Sequence, residues 1–331
     1  VEKEMGRQIM ELEQLIRTEY ADIVGIVVHK NGKRIYESYF DGFNTTDTVH
    51  VMSVTKSIVS ALVGIAIDKG YIESVDQKVI DFFPGYKPKR GERTIQDVTI
   101  RHMLTMTAPY KYRSEPYTKV YASTDWTKAA LDLLGGKSGI TGKFRYSTIG
   151  TQILSGILTN ATGKPVIDFA TAYLFAPLDI KAPHNTVIHS KEEHIAFLNR
   201  RHASGWVVDP KGVHTAGWGL CLTPRDMAKF GQLYANGGLY GDRQILSSNW
   251  IEESTSEKSQ WEKFPYGYLW WIIDCNGNHC YAAIGDGGNI IFVNPRKDMA
   301  VAIASRFTIS SKAQIEQVLA LITGHIVPLF G

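Results

Sequence analysis

Apolar and polar positions alternate along this chain with rhythms that change from one region to the next. Met5, Ile9, Leu12, Leu15 and Ile16 follow the helical repeat and predict an amphipathic opening helix. IVGIVVHK and KRIYESYF are strand-like runs separated by Asn31-Gly32, a favoured two-residue hairpin turn. From Ser53 to about Gly70, Ile58, Val59, Leu62, Val63, Ile65 and Ala66 cover nearly the whole circumference, as in a helix buried between two layers.

Between Tyr71 and Glu253 the chain is dominated by helix-compatible segments (IRHMLTM, DWTKAALDLL, GTQILSGILTNATG, VIDFATAYLF, PRDMAKFGQLYANGG) punctuated by Gly, Pro and Ser. Beyond Phe264 the period returns to two in YGYLWWIID, HCYAAIG, NIIFVNP and MAVAIASR, and a last helix is predicted from about Ser311 to Ile322. The expected fold is α/β (α+β): both β-rich ends pair into one antiparallel sheet flanked by helices, with a mostly helical region inserted and a cleft at the seam. On this reading residues 1–60 and 262–331 form a discontinuous sheet domain and residues 61–261 the helical one.

Composition narrows the function. A chain of 331 residues with 44% hydrophobic and 21% charged residues has the make-up of a globular protein large enough for a deep cleft, and a net charge of +3 gives no reason to expect nucleic acid. A small molecule or short peptide is the natural partner. No apolar run approaches the roughly 20 residues that span a bilayer; the chain opens on Val1 rather than Met, which leaves its cellular location open. Cys221, Cys275 and Cys280 do not make a disulfide framework, although the last two flank Asn276-Gly277, where a cross-hairpin bridge is conceivable. No HExxH pattern occurs among the ten histidines, and GKSGITGKF lacks the Ser or Thr that a phosphate loop needs after its lysine, so neither a metal nor another cofactor is implied.

Chemistry concentrates at VMSVTKSIVSALVG. Ser is a favoured helix N-cap, yet Lys56 stands three residues on, on the same helix face, within reach of Ser53. A lysine in apolar surroundings near the positive end of a helix is biased toward the neutral amine that can take a serine's proton. The same helix end offers the Ser53 N–H as an oxyanion donor. Ser53 thus reads as both the helix-start residue and a nucleophile.

MSVTKS, HMLTMTAP, FRYSTIGTQILSGIL, GWGLCLTPRDMAKFGQLYANGG, YGYLWW and AIGDGGNIIFVNP, in that order, resemble the serine β-lactamase and penicillin-binding-protein superfamily, in the branch of class C β-lactamases, family VIII esterases and 6-aminohexanoate-oligomer hydrolases. The resemblance implies a second catalytic element, the tyrosine of a Tyr-x-Asn motif. Tyr234-Ala235-Asn236 matches the letters but ends a helix, where its ring is expected in the core; Tyr146-Ser147-Thr148 lacks the Asn but has the right context and is chosen.

Where β-lactamases of the superfamily carry Lys-Thr-Gly or His-Thr-Gly, this chain has Ala283-Ile284-Gly285, followed by Asp286-Gly287. Gly285 still permits close backbone approach to a ligand, and the resemblance implies the Asp286 N–H as second oxyanion donor, with Gly285 and Gly287 lining the site. Without the cation a substrate carboxylate forfeits a charge-assisted bond, roughly twice as strong as a neutral one. That favours esters or amides over β-lactams. Arg306 is a possible replacement charge or simply a solvated arginine. The loop YRSEPYTKVYASTDW resembles the one covering the oligomer-hydrolase cleft and makes Tyr117, Tyr121 and Asp125 substrate-binding candidates. Trp206, Trp218, Trp270 and Trp271 fit pocket lining and core packing alike, and Trp218 is a further substrate-binding candidate. The expected activity is hydrolysis of an ester or amide through a Ser53 acyl-enzyme; the alternative is a β-lactamase, a D-alanyl-D-alanine carboxypeptidase or a catalytically weak penicillin-recognising protein.

Overall fold

The computed structural model describes residues 2–307 and 315–331. Its centre is an eight-stranded antiparallel sheet whose strands come from both ends of the chain: β1 (Ile23–Lys30), β2 (Lys33–Tyr39), β3 (Ser259–Trp261), β4 (Phe264–Tyr266), β5 (Trp271–Cys275), β6 (Asn278–Gly285), β7 (Asn289–Asn294) and β8 (Met299–Ser305). The order across the sheet is β2-β1-β8-β7-β6-β5-β4-β3. The seam between the two ends is β1 on β8, with Ile26 opposite Ile303 and Val28 opposite Val301. The first hairpin turns at Asn31 and Gly32, both with positive φ (52° and 72°), the backbone that the Asn-Gly pair favours.

Both faces of the central strands are buried. Ile26, Val28, Phe292 and Ile303 pack with Leu12 and Ile16 of α1 (Glu2–Glu19) and with Leu321 at the end of a C-terminal helix, Ile315–Leu321. The first residues of that expected helix, 311–314, lie outside the described residues. On the other face Val27, Ile291, Val293 and Ala302 join the larger core with α2 (Val54–Asp68), α3 (Trp126–Leu133), α4 (Thr148–Thr162) and α5 (Pro224–Ala235).

Helix α2 is buried on every side from Val54 to Ala66 and packs against α4, β6 and β7. Because its whole circumference is apolar it has only one stable place, between the sheet and the helical region. Truncating a fully buried residue such as Leu62 to Ala is expected to remove about 2–5 kcal/mol. Its N-terminus lies beside Gly285, the last residue of β6. Among the described residues, no helix is long and apolar enough to cross a membrane. All three cysteines are free; Cys275 pairs across the hairpin with Asn278 and Cys280 with Ile273.

Candidate active site

Ser53 occupies the N-cap position of α2, but its side chain makes no capping bond and its backbone is already helical (φ −70°, ψ −6°). Met52, just before it, is held at φ +52°, a conformation that costs an L-residue of this kind roughly 1–2 kcal/mol. The chain thus makes a strained turn between His50 and the helix, and the Ser53 hydroxyl is left for another partner.

That partner is Lys56, whose Nζ lies 2.9 Å from Ser53 Oγ, 3.1 Å from Thr148 Oγ1 and 2.8 Å from the Gly217 carbonyl oxygen. Lys56 is only 1% exposed. Burial pulls its pKa from the ordinary lysine value down to about 7, against the opposing pull of Glu115 and Asp286. In the neutral form two N–H bonds serve Gly217 and Thr148, and the lone pair faces the Ser53 hydroxyl. Gly217 must be glycine: a Cβ there would stand 2.7 Å from the Thr148 carbonyl oxygen.

Thr148 is the first residue of α4, and its placement is over-determined. Ser147 caps the helix by accepting the Gly150 N–H at 2.7 Å. The Glu115 carboxylate accepts the N–H groups of Thr148 (3.1 Å) and Ile149 (2.8 Å) and the Ser147 hydroxyl (2.7 Å). A carboxylate is favoured at this positive helix end. Tyr117 also donates its hydroxyl to Glu115, and Tyr112 meets Ser147 Oγ at 2.6 Å.

Tyr146 precedes this cap. Its ring lies 4.8 Å from Lys56 Nζ and is nearly parallel to Trp271, with centroids 6.2 Å apart. Burial raises the phenol well above its usual pKa, opposed by the adjacent Ser53 hydroxyl, so it stays protonated at neutral pH.

Gly285, at the end of β6, closes the opposite side. A Cβ on it would stand 2.4 Å from the Val51 carbonyl oxygen and 3.1 Å from the Ser53 N atom, so only glycine lets the strand approach the helix start this closely. Among the described residues, neither the Ser53 N–H nor the Asp286 N–H is given to a protein acceptor.

The structure brings Ser53, Lys56, Tyr146, Gly285 and Asp286 to one place, with Tyr117 beside them through Glu115. Tyr121 lies one step back: its hydroxyl accepts the Trp218 indole N–H at 2.8 Å, and its ring stacks against Tyr117 at 6.0 Å. Trp218 is 7% exposed and stacks on His194. Asp125 makes none of these contacts. It caps α3 by accepting the Lys128 N–H and faces Lys211 at 3.6 Å, because an acidic residue before a helix finds its strongest partner in the free backbone N–H. Gly287 lies in the β6–β7 turn at φ +80°, facing Arg306 and Phe307.

Arg306 is held 2.9 Å from Asp41 and is committed there. Trp206 and Trp270 are core residues with no exposure, leaving Trp271 as the tryptophan stacked on Tyr146. Tyr234 is buried against Trp270, with centroids 4.4 Å apart. Among the described residues, no group of three or more His, Cys, Asp or Glu side chains is arranged to hold a metal. Sequence reasoning missed Thr148, Gly217 and Glu115. Two of these carried a signal: Thr148 stands at the Asn position of the Tyr-x-Asn motif, and Glu115 is an acidic residue inside the loop YRSEPYTKVYASTDW.

A family model described as Beta-lactamase matches residues 12–321. The chain is 26% identical over 326 residues to the 6-aminohexanoate-dimer hydrolase of Paenarthrobacter ureafaciens, covering 90% of this chain and 75% of that protein. Among solved structures, a class C beta-lactamase superposes with a TM-score of 0.73 at 16% identity, over 99% of this chain and 97% of the other. The octameric penicillin-binding protein homologue from Pyrococcus abyssi gives 0.71 at 21% identity, over 96% and 77%. These likenesses agree with the mixed α/β architecture built on a large antiparallel sheet.

Proposed function

The chain belongs to the beta-lactamase family, and from that premise we propose that it is a serine hydrolase cleaving an ester or amide bond through a Ser53 acyl-enzyme. One observation carries the reading: a fully buried lysine, its pKa brought to about 7, sits 2.9 Å from the serine hydroxyl. A lysine lowered this far by burial has the free amine within reach of neutral pH, which is what a general base requires.

In the first step Ser53 Oγ attacks the carbonyl carbon and its proton passes to Lys56. The carbonyl oxygen gains negative charge between the Ser53 and Asp286 N–H groups; losing one such donor typically lowers kcat about 10²–10³-fold. When the bond to the leaving group breaks, the leaving group takes a proton through Tyr146, which Lys56 replenishes. Water then attacks the acyl ester, giving up its proton along the same route, and the acid departs as Ser53 regains its hydrogen. Tyr117, Tyr121, Trp218, Gly285 and Gly287 are assigned to the substrate side of the cleft.

Ala283-Ile284-Gly285 offers no cation for a β-lactam carboxylate, and Arg306 is engaged by Asp41. These two facts favour esters and linear amides, in keeping with the relative named a 6-aminohexanoate-dimer hydrolase. The test is hydrolysis of p-nitrophenyl butyrate and of a chromogenic cephalosporin by the wild type and by Ser53→Ala. Ester turnover that vanishes in the variant is expected, with little cephalosporin cleavage. Equal traces from both proteins would remove Ser53 from catalysis on these substrates, and fast cephalosporin cleavage would replace the ester and amide assignment by a β-lactamase.

A further inference from the structure

We infer that a basic cleft lined by residues between 89 and 145 is a binding site for an oligoanion, a small molecule carrying several phosphate or carboxylate groups. The cleft has a volume of about 1220 Å³, above the roughly 300–1,000 Å³ of ordinary small-ligand pockets. One wall carries Lys89, Arg90 and Arg93, and a second carries Lys111 and Arg113. The glycine-rich loop GKSGITGKF and the residue after it supply Lys137, Lys143 and Arg145.

Eight cations face one carboxylate, a formal +7, whereas the whole chain carries only +3, so the remainder of the molecule is net acidic. The concentration is local. The single carboxylate, Glu92, is already engaged: it pairs with Lys111 at 3.1 Å, accepts the Ile95 N–H at 3.1 Å, and packs where a Cβ on Gly135 would collide with it. Among the described residues, the other seven cations have no carboxylate partner. Arg145 is held in place by its neighbours, donating to the Tyr110 carbonyl oxygen at 2.9 Å and lying over the Tyr112 ring at 4.8 Å.

Like charges crowded this way repel each other, and the repulsion is relieved by an anion that touches several of them at once. A concave arrangement of several cations further favours one multivalent ligand over scattered counterions. The inference stands apart from the Ser53 reaction, which none of these cations enters.

Titration calorimetry at low salt with inorganic tripolyphosphate and, separately, citrate tests it. The wild type is compared with a Lys89→Glu/Arg93→Glu/Lys143→Glu variant and with a control reversing Lys33, Lys181 and Lys191, exposed residues outside the cleft. Unfolding temperatures check that both variants fold. Saturable binding to the wild type and control, weakened at least about tenfold in the cleft variant and lost as salt shortens the screening length, is expected. The stronger of the two ligands identifies phosphate or carboxylate as the preferred group. Failure of both to bind, or equal weakening in control and cleft variants, overturns the inference.

Discussion

The Glu115 carboxylate accepts the Thr148 N–H at 3.1 Å, and the Thr148 hydroxyl in turn lies 3.1 Å from Lys56 Nζ. One acidic side chain therefore fixes both the start of α4 and the position of the proposed base. Glu115→Gln keeps the shape, removes the charge and turns one acceptor into a donor facing other donors. We expect a stability loss of about 1–3 kcal/mol and a fall in kcat of roughly tenfold or more, with KM little changed. Since Glu115 holds the Lys56 pKa up, its neutralisation also moves the acid limb of the pH–rate profile to lower pH. An unmoved limb would restrict Glu115 to a structural cap.

The Lys56 ionisation sets a pH dependence that can be read in two ways. For ester hydrolysis, kcat/KM rises with pH through an ionisation near 7 and levels off above it, because the neutral amine is the active form. For stability, the folded pKa of about 7 lies below the unfolded value near 10.5, so between these limits the unfolded chain binds the extra proton. The desolvation penalty is complete below pH 7, shrinks by about 1 kcal/mol per pH unit on the way up, and is gone above pH 10.5. Relative to wild type, Lys56→Met should look most stable at pH 7 and below, and lose that advantage as pH rises. Denaturant unfolding of both proteins from pH 6 to 10 measures the difference; parallel curves would mean that Lys56 titrates normally.

How much of this was legible in the sequence follows from the range of each interaction. Ser53 and Lys56 are three residues apart, and helix geometry alone lets them meet. Strand periodicity likewise led to the closure of the sheet by its two ends, seen at Ile26 and Ile303. Gly217 meets Lys56 across 161 residues of chain, and no local pattern marks such a contact, whereas Thr148, 92 residues away, stands where the Tyr-x-Asn motif has its Asn. The capping preference of Ser53 was a sound local rule set aside by another local partner, the buried Lys56 one turn along the same helix. Asp125 shows the reverse: the same rule, applied there, leads straight to the cap on α3, whereas its loop context pointed to the cleft. Tyr146 and Tyr234 were separable only by context, and the burial of Tyr234 against Trp270 shows what the Tyr-x-Asn letters could not.

Gly285 is expected to tolerate no side chain. In Gly285→Ala the new methyl would stand 2.4 Å from the Val51 carbonyl oxygen and 3.1 Å from the Ser53 N atom, so β6 and the start of α2 must separate. Because the two proposed oxyanion donors lie on these two elements, their spacing widens. We expect kcat for p-nitrophenyl butyrate to fall about 10²–10³-fold, with a stability loss of about 1–3 kcal/mol from the overpacked contact. Steady-state kinetics beside thermal unfolding separate the two effects. A variant that is destabilised yet fully active would move the oxyanion site away from this strand.

Tyr146 distinguishes substrates by their leaving groups. Its phenol is kept protonated by burial and lies against Lys56, so its proposed task is to pass a proton to the departing atom. An amide nitrogen requires that proton before the C–N bond breaks; p-nitrophenolate departs without one. Tyr146→Phe preserves the ring, its approach to Lys56 and its stacking on Trp271, and removes only the hydroxyl. We therefore expect amide hydrolysis to drop by about 10²–10⁴-fold, the usual range for a lost general acid, while acylation by p-nitrophenyl butyrate falls by roughly tenfold or less. The comparison is made on single-turnover acylation rates, so that a slowed deacylation does not obscure the leaving-group effect. Equal losses on both substrates would give Tyr146 a role at the nucleophile instead, as a partner of Ser53 that Lys56 does not replace.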